Sequence, residues 1–246
     1  MNRALATVAF VTLSACVGQP QSDATLGAAQ SLDVPNPGIA AIDSRPLGQS
    51  YGQWAERYWQ WALAQPADKS PLVDATGANC GQGQSGDMFF LGGELGGGTV
   101  HRACTVPFGK SIFVPVISLF EMEGFKDRHP ITSLRQALAA QLDAATVFAS
   151  IDGQDVIRPD TYRAQSPAFG VRMPSPAATN VLGVDKDECR LRPDGQFLCG
   201  PLVDDSFALI LSPLTPGPHL IHVGGTTTSG LVFDVSYALQ VPAPLI

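Results

Sequence analysis

Charge is scarce in this chain. Of its 246 residues 15% are charged, and 22 acidic against 15 basic side chains leave a net charge of −7. No basic stripe interrupts that balance, which excludes a general nucleic-acid binder. The low charge is not that of a disordered chain either, because 45% of the residues are hydrophobic. Heptads of Ala, Glu, Lys and Arg are missing, so a coiled coil is excluded. The apolar run Ala4 to Leu13 is too short to cross a bilayer, which takes about 20 residues. No Cys-x2-Cys pair occurs, which argues against a structural zinc site. What the chain has in quantity is turn formers, 25 Gly and 20 Pro, and enough length for one sizeable core.

The N-terminus reads as an export address. Arg3 stands alone before the run Ala4 to Leu13, the layout of a secretion signal. The run closes in Leu13-Ser14-Ala15-Cys16, which resembles the bacterial lipobox. That resemblance implies a signal peptide over 1–15, removal before Cys16, and acylation of Cys16 with fatty chains such as palmitate. Val17 follows the cysteine where an aspartate would mark inner-membrane retention, so the resemblance also implies an outer-membrane lipoprotein. Each buried methylene of the anchor adds about 0.8 kcal/mol of membrane affinity. Residues 16–49 carry no aromatic side chain and are rich in Ala, Gly, Pro, Ser and Gln. They are expected to form a tether spanning roughly 30 Å, with one globular domain over 50–246.

With Cys16 assigned to lipid, Cys80, Cys104, Cys189 and Cys199 remain. Four cysteines in an exported chain suggest two disulfides in one of three connectivities. Between Cys189 and Cys199 lies Pro193-Asp194-Gly195, a three-residue hairpin loop with Gly in the left-handed position. That register pairs Arg192 with Gln196 and sets Cys189 opposite Cys199, leaving Cys80 to Cys104 by elimination. Each bridge contributes about 3 kcal/mol on loop-closure grounds.

The domain opens with an amphipathic helix predicted from Ser50, its N-cap, to Gln65. Tyr51, Trp54, Tyr58, Trp61 and Ala62 share one face, the pattern of a helix pinned to a sheet by large side chains. Trp59 falls off that stripe and is the expected exposed ligand contact. A second helix is predicted over 132–145, capped by Thr132 or Ser133, with Leu134, Leu138, Leu142 and Ala145 buried. Strands are expected at 88–91, 99–106, 110–122, 147–151, 154–157, 207–211, 218–223 and 231–241. Asp152-Gly153 makes a two-residue hairpin turn, and Pro115 marks a bend or an edge. Short strands between Gly and Pro turns imply a mainly β fold: an antiparallel β-sandwich, immunoglobulin-like or jelly-roll-like, with two accessory α-helices.

Several pieces together carry a further resemblance. They are Tyr51-Gly52-Gln53-Trp54 through Trp61-Ala62, Thr76-Gly77-Ala78-Asn79-Cys80, Gly83-Gln84-Ser85-Gly86, Cys104-Thr105-Val106-Pro107-Phe108-Gly109-Lys110, and the stretch from His219 to Val241. Over nearly all of 50–241 the chain resembles a group of exported bacterial proteins and lipoproteins of unassigned function. The resemblance implies export and supports the Cys80–Cys104 pairing. It implies no activity. The cysteine hairpin Glu188 to Gly200 departs from the group's usual pattern.

Candidate chemistry is thin. Gly81-x-Gly83-x-x-Gly86 spells the dinucleotide fingerprint but precedes a strand instead of opening a helix. Ser85 sits in an imperfect nucleophile elbow, with Asp87 where the second glycine belongs. Of the histidines, His101, His129, His219 and His222, the last two are three apart on a strand and point to opposite faces. Glu121 and Glu123 share a strand face about 7 Å apart, a spacing known from inverting glycosidases, though neighbours on one strand do not straddle a sugar well. Asp185, Asp187 and Glu188 form an acidic loop beside the cysteine hairpin, and Asp204-Asp205 follow it. Their hard carboxylates suit calcium, and no other cofactor is expected. The reading is a lipid-anchored envelope protein with a binding or structural role, attached to the membrane through its anchor, with an envelope protein or polysaccharide as partner and no nucleic acid. A hydrolase of an envelope polymer and an accessory subunit of a surface assembly are the alternatives.

Overall fold

The computed structural model describes residues 38–124 and 128–244. Cys16, the expected signal peptide and the tether up to residue 37 lie outside the described residues. The rest of the expected tether is not free chain. Ala40 donates its N–H to the Ile210 carbonyl at 2.9 Å, Ile39 bridges to Leu211, and the Tyr51 hydroxyl donates to the Ala40 carbonyl at 2.6 Å. The segment 38–49 therefore belongs to the globular body and not to a tether.

Helix α1 spans Tyr51–Leu63. Its start is fixed by a capping box: Ser50 Oγ accepts from Gln53 N–H, and Gln53 Oε1 accepts from Ser50 N–H. Helix α2 spans Ile131–Leu142 and buries Leu134, Leu138 and Leu142 as expected. Its cap differs from expectation. Pro130 occupies the N-cap with no side-chain bond, because proline brings a preset φ and no N–H of its own to satisfy.

The first sheet holds β1 (Met88–Phe90), β3 (Ser111–Met122), β6 (Arg163–Gln165), β7 (Phe169–Met173), β8 (Arg190–Leu191) and β9 (Phe197–Leu211). The second runs in the order β2 (Gly98–Thr105), β11 (Val232–Val241), β10 (Gly217–Thr226), β4 (Thr146–Ile151) and β5 (Gln154–Asp155). The molecule is thus a mainly β sandwich with two helices. One correction concerns strand direction. β1 runs parallel to β3 and β2 parallel to β11, so both sheets are mixed. The connections from β1 to β3 and from β2 to β11 are long enough for the crossover a parallel pair needs.

Alternation decides the faces. In β11, Phe233, Val235, Tyr237, Leu239 and Val241 are buried while the residues between them are not. Pro115 sits where the β3–β9 register shifts, a bulge that disposes of its missing N–H. Asp152 and Gly153 both take positive φ, as the two-residue turn requires. Strand β9 is longer than expected. Its first half is edged by β7 and β8, and its second by β3 and β6.

Both disulfides are present, Cys80–Cys104 and Cys189–Cys199. The hairpin register is the expected one: Arg192 N–H donates to the Gln196 carbonyl at 2.8 Å, and Gly195 has φ 80°. Such bridges are those of a protein matured outside the reducing cytoplasm. Among the described residues no helix is long and apolar enough to cross a membrane.

Candidate functional site: a cleft beside the first helix

Tyr58, fully buried, packs its ring against Phe113 with centroids 5.3 Å apart. That contact seats α1 on the first sheet and leaves Trp54, Arg57 and Trp61 of the helix, with Gln65 just beyond its end, along one side of a cleft. Opposite them lies the turn Gly83–Asp87. The cleft between has a volume of about 500 Å³ and is floored by Met88 and Phe90.

The walls are held firmly. Trp54 donates its indole N–H to the Pro46 carbonyl at 2.9 Å, and Trp61 to the Gln82 carbonyl at 2.8 Å. Trp61 also stacks on Phe90, 5.5 Å between centroids. Arg57 lies over the Trp54 ring at 5.6 Å and donates from Nε to Gln49 Oε1 at 2.7 Å. On the other side Gln84 acts as a substitute strand along β1. Its amide donates to the Phe90 and Cys80 carbonyls at 2.7 and 3.0 Å and accepts from Phe90 N–H at 3.1 Å. This closes an edge that would otherwise invite pairing with another chain. Ser111 N–H donates to the Asp87 carbonyl at 3.0 Å, and Lys110 reaches the Gly86 carbonyl. The cleft is therefore preformed.

The backbone at Gly83 favours glycine, and its neighbour Gln65 stands close. Its φ is +62°, and a Cβ there would stand 2.4 Å from Gln65 Nε2. Of the glycines that spelled a dinucleotide fingerprint, Gly83 thus serves a close approach to Gln65, while Gly81 and Gly86 have open space around them. Ser85 does line the cleft, but no histidine does. The turn also leads into a strand, so the nucleophile elbow is absent.

The other candidates lie elsewhere. Trp59 is not an exposed contact: it is 4% exposed, and its indole N–H donates to Asp204 Oδ2 at 2.7 Å. Off the Tyr58 stripe it still faces protein, because β9 and Phe120 of β3 cover that flank of the helix. Asp204 is fully buried and also accepts from the Ser118 and Ser206 hydroxyls at 3.0 Å each. Burial pushes its carboxyl up to about 7 against the pull of these three donors, with Asp205 adding repulsion. Asp205, on the opposite face of β9, takes a two-pronged bond from Arg163 at 2.9 and 2.8 Å and another from Gln165. These two aspartates organise the fold, not a ligand.

The acidic loop does not gather as a calcium site. Asp185 Oδ1 accepts from Asp187 N–H at 2.6 Å, and Glu188 Oε2 accepts from Asp185 N–H at 2.9 Å. Among the described residues no three His, Cys, Asp or Glu side chains converge as metal ligands. One oxygen of Asp185 and one of Glu188 are taken by backbone N–H groups of the turn itself.

Glu121 pairs with Val203, ten residues along β3 from Ser111, whose N–H bonds the carbonyl of the cleft residue Asp87. At strand rise that is roughly 33 Å. Burial raises the Glu121 carboxyl above its usual range, and the backbone N–H of Glu123 donates to the Pro201 carbonyl. His219 bonds Asp152 at 2.8 Å and the Thr215 carbonyl at 2.9 Å, fastening the β4–β5 turn to β10. His222 bonds Asp234 at 2.7 Å. The two share no partner. His101 stands across β11 from His222, with Ser236 between them, and His129 is exposed before α2.

Arg57, Gln60 and Gln65 escaped the sequence reading. Their signal was there: with Trp54 and Trp61 they recur at three- and four-residue spacing. No family model matches the chain, and no curated protein matches it.

Proposed function

We propose that this is a lipid-anchored protein of the cell envelope, held at the outer membrane through Cys16, with a non-catalytic binding role exercised through the cleft beside α1. One observation carries the binding role: a preformed cleft of about 500 Å³ walled by Arg57, Gln60, Gln65, Ser85 and Asp87. That volume lies within the usual range of ligand sites, about 300–1,000 Å³. No histidine lines the cleft to activate Ser85. Anchoring rests on the Leu13–Cys16 motif, and the two disulfides agree with it.

Two variants of the full chain test this. Cys16→Ser is expected to move the protein from the membrane pellet to the soluble fraction. Ser85→Trp fills the cleft from an exposed position and is expected to abolish retention on isolated cell envelopes with an unchanged melting temperature. Equal retention of the wild type and Ser85→Trp would refute the cleft as the binding site.

A further inference from the structure

We infer that the cleft beside α1 takes a neutral, polyhydroxylated ligand: a short stretch of uncharged glycan. The inference rests on the cleft being the binding site and names the chemistry it selects.

The wall presents planar polar groups, the Arg57 guanidinium, the Gln60 and Gln65 amides and the Asp87 carboxylate, together with the Ser85 hydroxyl. Planar groups with two polar atoms match pairs of adjacent sugar hydroxyls, each of which both donates and accepts. Gln65 is held in place: it is 7% exposed and its Nε2 donates to the Trp61 carbonyl at 2.8 Å, so its amide meets a ligand in a fixed orientation. Trp54 and Trp61 have spent their N–H groups on backbone carbonyls. With those groups spent, the two indoles add apolar surface to the cleft.

Charge argues for neutrality. Arg57 and Asp87 line the same cleft. An anionic ligand would meet Asp87 and a cationic one Arg57, whereas a neutral polyol uses both as hydrogen-bond partners. A small greasy ligand is disfavoured, because it would strip water from five polar side chains and return nothing to them.

The test uses envelope retention of the full chain. Envelopes are treated beforehand either with mild periodate, which cleaves adjacent diols and is then quenched, or with protease. Wild-type retention is expected to vanish after periodate, to survive protease, and to hold from low to high salt. Gln65→Leu and Ser85→Ala are expected to weaken it, Gln65→Leu by about tenfold for one lost hydrogen bond. Ser85→Ala alters an exposed side chain, so it remains informative if Gln65→Leu fails to fold. Retention that survives periodate but not protease would make the ligand a protein. Retention that collapses in salt would make it charged. Either result overturns the glycan while leaving the cleft in place. Absence of wild-type retention on untreated envelopes would overturn both.

Discussion

Asp204→Asn should flatten the acid side of the stability profile. In the folded protein the Asp204 carboxyl is pushed up to about 7, chiefly by burial. In the unfolded chain it returns to the usual aspartate value of about 3.9. Between those two pH values the folded state holds a proton that the unfolded state has lost. Stability from this group is therefore complete below about pH 4 and is lost as pH rises through about 7. The slope approaches 1.4 kcal/mol per pH unit, or about 3 kcal/mol between pH 5 and pH 8. Asparagine removes the titration but keeps an acceptor for the Trp59 N–H. It adds an NH₂ that one of the two serine hydroxyls must accept, which shifts the whole curve by about 1–3 kcal/mol if left unmet. The sign of the effect at any single pH is thus not the test.

The test is the difference between two pH values. Urea unfolding of both proteins at pH 5 and pH 8, followed by tryptophan fluorescence, gives two values of ΔΔG. Groups common to both proteins, Asp205 and Arg163 among them, cancel in that comparison. The variant should gain about 3 kcal/mol on the wild type from pH 5 to pH 8. Parallel curves, agreeing within about 0.5 kcal/mol, would mean that the three donors outweigh burial and hold Asp204 ionised throughout. The reasoning would then be wrong at its first step.

Arg102 is buried, donating to the carbonyls of Asp74, Gly92 and Gly93 and to Glu94 Oε2. Arg102→Met strands these acceptors and should cost about 3–5 kcal/mol in chemical denaturation; a loss below about 1 kcal/mol would show that water replaces the guanidinium. Gly83→Ala forces a side chain to φ +62° and into Gln65. It should lower stability by about 1–2 kcal/mol and weaken envelope retention more than its loss of stability explains. Replacing Cys189 and Cys199 together by serine should cost about 2–3 kcal/mol in non-reducing denaturant and leave the cleft functional, since the hairpin does not line it.

Local chemistry and periodicity made much of this structure legible. Pro193-Asp194-Gly195 set a hairpin register because only one spacing lets glycine take the left-handed position, and the Cys189–Cys199 bridge followed. Alternation in β11 announced its buried face because one side of that strand meets water. Where both sides are covered, alternation disappears. In β9 every residue from Leu202 to Leu211 is buried, so Asp204 and Asp205 read as a continuation of the acidic loop when both carboxylates are enclosed in the core. Trp59 misled for the same reason. A helical stripe shows which face meets one neighbour, and it cannot show that β9 arrives on the flank 145 residues later. The cleft was half legible. Ser85 and the glycines stood out as motifs, but their meaning lay in the approach of Gly83 to Gln65, a contact between a turn and a helix that neither sequence segment encodes alone. What the sequence concealed was therefore the tertiary partner of each polar side chain, and with it the difference between a carboxylate that organises a core and one that meets water.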